Sequence, residues 1–422
     1  MAVFDWFRGL LSRTSPRAAT QSAGGGVLID SPEKLAEVMR GDVNTGAGTV
    51  VTAGTAMRVA AVFACVRIIS GAVATMPLQL KRWVGENERQ DASNDPLWEV
   101  IGRKPNRWQT PSQFKRMQQA HLLLRGNAYA RIVRGIGGRP MELIPLHPDK
   151  VECKQKDDLS LTYTYTRRDG VRVDFKQADV FHLTGLTLDG VRGVSVITYA
   201  RETIGLAMAQ EDHGANTFKN GARISNVLSH PHKLGPEGLK FLQESLGLFR
   251  AGGENEGKDL ILEEGMEVKP LAMTAEDAQW IESRKFSRSE IAMFFGVPPH
   301  MIGDTEKSTS WGSGIEEQKD GFVAFTLEDH LVTWEETIVR DLIKDPALYV
   351  RFNRAALVRG NLAARMGAHA IALQWGILNP DEVRALEDRN PRADGKGDKY
   401  YDPPNTAGGA NKGSNSEPAK PA

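Results

Sequence analysis

Val59, Val62, Phe63, Val66, Ile69 and Val73 fall on one face of a helix, which predicts a buried helix starting near Met57 and stopped by Pro77. LQLKRWV follows and reads as a strand. Thr110-Pro111-Ser112-Gln113 offers a capping hydroxyl, a proline at the first helical position and a glutamine three residues on. A helix is therefore predicted to Arg125, ended by Gly126. Strands are predicted near 128–134, 141–144, 161–166, 171–175 and 180–183, with hairpin turns at 135–138 and at Arg168-Asp169-Gly170. The first part of the chain is thus an α+β domain with mostly antiparallel pairing.

Longer helices follow. One is predicted over 196–219, roughly 35 Å long, ended by Asn220-Gly221. A small α/β module comes next: strand 224–228, helix 236–249, strand 259–263, a turn at Glu264-Gly265 and strand 267–271. The helix predicted over 275–295 opens with a Thr274/Asp277 capping box and stops at Gly296 and Pro298-Pro299. Between Glu282 and Glu290 its only apolar residue is Phe286. A helix this polar bridges domains, pairs with a neighbour or faces solvent. After a polar linker at 304–314, Ser313 and Glu316 cap a helix predicted to about 344, roughly 45 Å long. Phe322, Phe325, Leu327, Leu331, Trp334, Ile338 and Leu342 form its apolar stripe, and Asp345-Pro346 ends it. Helical segments are expected over 354–388. Residues 12–55 read as mostly flexible with a short helix at 32–39, and 392–422 as a disordered tail. There is no internal repeat.

Composition narrows the function. The 422 residues carry 53 basic and 53 acidic side chains. Proteins that coat DNA are strongly basic, whereas a balanced charge suits a channel, because every fixed phosphate contact adds drag. Cys65 and Cys153 are too few for a disulfide scaffold and suit a reducing cytoplasm. No apolar run approaches the ~20 residues of a membrane span. Phe4, Trp6, Phe7, Leu10 and Leu11 make a short amphipathic stretch without a signal-cleavage pattern, expected to dock on protein. Gly252 to Asp259 has the G-x4-G-K spacing of a phosphate loop, but Asp259 replaces the magnesium-binding hydroxyl, Glu254 and Glu256 repel phosphate, and helix precedes loop. His230-Pro231-His232 has no third ligand at metal spacing. Gly193 to Ile197 lacks the second glycine of a nucleophile elbow. No active site, cofactor or metal is expected.

EIAMFFGVPPHMIG, from Glu290 to Gly303, resembles a segment of the portal proteins of tailed bacteriophages. AVFACVRIISGAVATMPLQL, RKPNRWQTPSQF, LLLRGNAYARIV, DVFHLTG, FKNGARISNVL and GILNPDEVRALEDRNP resemble further family segments, in order, over roughly residues 55–395. The resemblance implies a portal architecture: N-terminal arm 1–55, wing 56–195, stem helix 196–221, clip 222–274, second stem helix 275–303, tunnel loop 304–314, long wing helix 315–345, helical crown 346–391 and tail 392–422. It implies a ring, usually of twelve copies, that conducts double-stranded DNA at one capsid vertex in the virion without reading its sequence. The expected partners are the large terminase subunit, the major capsid protein or scaffold, and a head-completion adaptor. Lys307, Ser308, Thr309, Ser310 and Trp311 would face the DNA. Glu282, Arg284, Lys285, Arg288 and Glu290 would pair between subunits, and Lys240, Arg250, Glu254 and Lys258 would lie on the docking face. Two other readings are a nucleotide hydrolase using residues 252–259, tested by ATP turnover, and a membrane-peripheral export ring anchored by residues 4–11, tested by liposome flotation.

Overall fold

The computed structural model describes residues 44–86, 88–219, 226–229, 235–236, 240, 267–270, 275–304, 321–354, 362–387 and 389–402. The chain divides into two units, Met1–Thr75 with Gln79–Arg351, and Met76–Leu78 with Phe352–Ala422.

In the first unit, residues 44–55 are folded, although they belong to a stretch whose composition reads as mostly flexible. Thr52 and Thr55 form a capping box, and a turn at 44–50 lies against the start of a long helix through Thr49 Oγ1 to the Gly205 carbonyl, 3.0 Å. The predicted first helix is α1, Ala60–Thr75, and it buries Val62, Cys65, Val66, Ile69 and Val73. Phe63 was expected on that face but is half exposed. It sits one residue, about 100°, away from Val62, while Cys65 completes the stripe. Strand β1, Leu78–Trp83, pairs antiparallel with β2, Arg89–Asp91.

Helix α2, Pro111–Arg125, has the predicted box: Gln113 N–H donates to Thr110 Oγ1 and Thr110 N–H to the Gln113 side chain. Gly126 ends it in the left-handed region at φ 72°. β3, Asn127–Arg134, β4, Pro140–Leu146, β5, Val151–Gln155, β6, Leu161–Thr166, β7, Arg172–Lys176, and β8, Val180–Thr184, form two antiparallel sheets of order β4-β3-β8 and β5-β6-β7. Tyr129, Leu146, Cys153, Tyr163 and Val180 make a common core for them.

The helix predicted over 196–219 is broken at Ala200 (φ −85°, ψ 6°), leaving a turn at Val196–Tyr199 and α3, Arg201–Lys219. β9, Asn226–Ser229, and β10, Glu267–Pro270, pair antiparallel. The predicted helix 236–249 lies almost wholly, and strand 259–263 entirely, outside the described residues. α4, Ala275–Phe294, packs on α3 and α1. The next helix begins, among the described residues, as a π-helical stretch at Phe322–Leu327 and continues as α5, Glu328–Leu342. The stripe Phe322, Leu327, Leu331, Trp334, Ile338 and Leu342 is buried, but Phe325 is 86% exposed. The wider π turn, bonded i to i+5, rotates it off the stripe. β11, Leu348–Phe352, was not anticipated. It completes a sheet of order β11-β1-β2.

In the second unit, α6, Leu362–Gln374, meets α7, Pro380–Leu386, through Arg365 and His369, which both reach Glu387. Residues 392–402, expected to belong to a disordered tail, are instead bonded to α7. Arg392 N–H donates to Asp381 Oδ1, Asp381 N–H to the Gly397 carbonyl and Tyr400 Oη to Glu382 Oε1. These bonds tie 392–402 to the start of α7 despite a composition of glycine, lysine and aspartate.

Candidate assembly site

The charged helix α4 solves its burial problem with small residues. Ser287, Ile291, Ala292 and Phe295 are buried, and Val297 after the helix joins them. The opposite face shows Phe286 at 61% exposure and Met293 at 73%, while Arg284, three residues before Ser287, and Arg288, four before Ala292, are exposed along the packed side. Phe286 and Met293 are seven residues apart and so share one stripe. Toward α3 the contact is polar: Gln210 Nε2 donates to Ser283 Oγ at 2.8 Å, and Arg284 lies 3.7 Å from Glu211. Arg284 was expected to pair between subunits and here meets a carboxylate of its own chain. Both groups are more than a third exposed, so the pair contributes little to stability.

The linker after α4 is fastened at both feet. Ser289 Oγ donates to Asp304 Oδ2 at 2.8 Å, just before residue 305. Thr326 Oγ1 donates to the Gly296 carbonyl at 2.6 Å, just after the segment ends. Gly296 has φ +66°, and a Cβ there would stand 2.9 Å from Thr326 Oγ1. The described residues on both sides of 305–320 are thus bonded to the last turns of α4 and the turn that follows it.

Beneath this region α5 is fixed to the β-sheets. Arg340 forks onto Asp341 at 2.7 and 2.9 Å and donates to the His182 carbonyl at 2.8 Å. His182 is buried, its ring between Tyr163 Oη at 3.1 Å and Asn127 Oδ1 at 3.0 Å. Asn127 also receives Gly193 N–H on Oδ1 and donates Nδ2 to the Gly193 carbonyl. Its oxygen is therefore an acceptor, so Nε2 of His182 carries the proton and Nδ1 accepts from Tyr163. Burial, then Arg340, push the His182 pKa down to about 3.

Of the other residues singled out in the sequence, Lys285 and Glu290 are half-buried on α4 and Arg288 is exposed. Lys240 is exposed. The side chain of Glu282, and Lys307, Ser308, Thr309, Ser310, Trp311, Arg250, Glu254 and Lys258, lie outside the described residues, as do His230, His232 and the 252–259 turn. Among the described residues no group of three or more His, Cys, Asp or Glu could hold a metal, and no helix is long and apolar enough to cross a membrane. Sequence reading missed Ser289, Asp304 and Thr326. The only signal was the short polar residues flanking the GVPP stop.

A family model described as phage portal protein matches residues 60–388. The chain belongs to the phage portal protein family. The portal protein of Enterobacteria phage HK97 is 35% identical over 339 residues, 79% of this chain and 80% of that protein. The probable portal protein of Streptomyces phage phiC31 is 35% identical over 370 residues, 85% of this chain and 80% of its own. Among solved structures, the neck of a native GTA particle computed with C12 symmetry aligns with TM-score 0.55 at 22% identity, covering 88% of this chain and 97% of that one. An HK97 family phage portal protein from Corynebacterium diphtheriae aligns with TM-score 0.52 at 20% identity, covering 74% and 99%. At these identities the structural likeness speaks for the portal fold, which is α+β here as there.

Proposed function

We propose that copies of this chain close into a ring at one capsid vertex of a virion and conduct double-stranded DNA through its centre. The ring docks the terminase motor during packaging and head-completion proteins afterwards. The observation that carries this reading is the unbroken family match over residues 60–388, joined to a fold shared with a particle neck solved with twelvefold symmetry. In this reading α3 and α4 are the stem, β9 and β10 belong to the clip, and 305–320 holds the tunnel loop, with Lys307 as its cation. The ring is a conduit, and ATP hydrolysis belongs to the motor. Ring closure requires a heterologous contact, one face of a copy against a different face of the next. The exposed stripe of Phe286 and Met293 supports α4 as part of that contact.

Twelve copies of the 46.3 kDa chain give about 556 kDa. Negative-stain class averages and mass photometry of the purified protein should show closed rings of about that mass with a central hole. A folded monomer at all salt concentrations would overturn the proposal. Deleting residues 308–310 should leave rings intact and shorten the packaged genome, with Lys307→Ala milder, since one screened charge matters less than loop length. Full-length packaging by the deletion would remove the loop from the working parts.

A further inference from the structure

The α6–α7 pair is held by polar bonds rather than by a core. Arg365 and His369 of α6 reach Glu387 at 2.6 and 3.1 Å, and Asn379 and Glu382 cap α7 reciprocally. Among the described residues from 362 to 402 no large apolar side chain is buried. Leu362, Met366, Ile371, Trp375, Ile377 and Leu386 are all exposed. Helices of 13 and 7 residues are too short to be stable by propensity and depend on packing an apolar face. A single copy leaves that face open.

We propose that α6 is covered by α6 of the adjacent copy, one side of the helix against the other. The proposal rests on the ring reading of the function. The only ionisable side chains of α6 are Arg365 and His369, and both are turned to Glu387 beside α7. The side away from α7 is therefore uncharged, and neither a nucleic acid nor a charged peptide finds a counter-charge there. A helix apolar on its outward side as well as its inward one belongs in an interior. At 100° per residue the outward side carries two rows. Ile371, 57% exposed, and Trp375, 52% exposed, form a bulky ridge, and Gly367 and Ala370 form a low groove beside it. The ridge of one helix fits the groove of the next. Each copy offers one of each, so the contact is heterologous and repeats from copy to copy until the ring closes. Gly367 carries independent weight. Glycine inside a helix is less favourable than alanine, and a Cβ there would meet nothing within 4 Å. Its own subunit does not require a glycine at this place, whereas the close approach of a second helix does.

The test replaces Trp375 of the full chain with a benzophenone amino acid and irradiates the species that mass photometry identifies as the ring. Denaturing gels should show covalent dimers and larger species, and mass spectrometry should place the crosslinks within residues 363–370 of a second copy. Gly367→Leu fills the groove and should cut the dimer yield at least fivefold, while circular dichroism stays that of the folded chain because the subunit has open space at this position. Ala385→Leu, at an exposed place on α7 outside both rows, should leave the yield unchanged. Rings whose crosslinks stay within one chain, reach another part of the neighbour or a different protein, or do not form would overturn this inference alone. So would an unchanged yield in Gly367→Leu or an equal loss in Ala385→Leu. Absence of any ring would overturn the ring reading and this inference with it.

Discussion

His182 and Lys115 are two buried groups that both make stability rise with pH, in different pH windows. The folded pKa of His182 is about 3, against an ordinary value of 6.5, so the folded chain binds fewer protons than the unfolded chain between those limits. Its contribution is full above pH 6.5 and is lost as pH falls toward 3. From pH 7 to pH 5 this amounts to about 2 kcal/mol. His182→Asn should flatten the acid limb of a stability–pH profile measured by urea denaturation; an unchanged slope would show that the imidazole is not held neutral. Lys115 lies on α2 with only 8% exposure, and burial lowers its pKa from 10.5 to about 8. The folded state again binds fewer protons, here between 8 and 10.5, so stability rises with pH across that window and the penalty is full at neutrality. Lys115→Met should raise neutral-pH stability by about 1–3 kcal/mol. A loss instead would mean that the ammonium is held by partners whose bonds outweigh its desolvation. Gly205 is constrained by contact alone. A Cβ there would stand 2.5 Å from Thr45 Cγ2. Gly205→Ala should cost about 1–3 kcal/mol through overpacking, and hasten proteolysis at 44–51, where the turn is pressed off α3.

At the scale of elements, what could be read in the sequence was what is decided locally. α2 was legible to the residue because Thr110, Pro111, Gln113 and Gly126 fix its ends without help from the rest of the chain. β5 and β11 were not. Val151 and Cys153 alternate with Glu152 and Lys154 over only five residues, and their pairing is made by β6, which the short pattern alone does not specify. The polar reading of α4 was right about its composition and incomplete about its burial. Ser287 is polar in a sequence count but small enough to let α4 close on its neighbours, its hydroxyl returned to the Ser283 carbonyl at 3.1 Å. The partner of Arg284 was invisible because Glu211 lies on α3, beyond the whole intervening module. The linker's fastenings escaped notice for the same reason, each joining residues on different elements. Ser287→Leu should therefore cost about 1–3 kcal/mol by forcing α4 outward, read as a lowered denaturant midpoint. A neutral result would show that this seam is loosely packed. Trp334→Phe tests the long helix. It removes the 2.9 Å bond from Nε1 to Gln119 Oε1 and leaves a buried amide oxygen unpaired, for a loss of about 1–3 kcal/mol in the same assay.

For the molecule as a whole, the decisive question is which surface a subunit leaves for its neighbours. A single copy exposes Phe286, Met293, Phe294 and Phe325, all on α4 or on the π-helical stretch near its end. Scattered apolar exposure needs no explanation, but four large side chains on two touching elements make a candidate contact patch. Gly296 and Thr326 bring those elements together. Burying one such side chain contributes about 1.5–3 kcal/mol. In a closed ring each interface uses the patch once, so loss of two anchors is felt at every seam. Phe286→Glu with Met293→Glu should therefore abolish rings, because a carboxylate driven into a dry seam without a partner is strongly disfavoured. The subunit itself should be untouched, since both side chains are mostly exposed within it. Mass photometry should show the ring mass replaced by monomer, while circular dichroism and the thermal midpoint of the monomer stay as expected for a folded chain. Rings of normal mass in the double variant would exclude this stripe from the interface and move the search to other exposed apolar residues such as Leu186 and Leu188, which lie on the loop after β8.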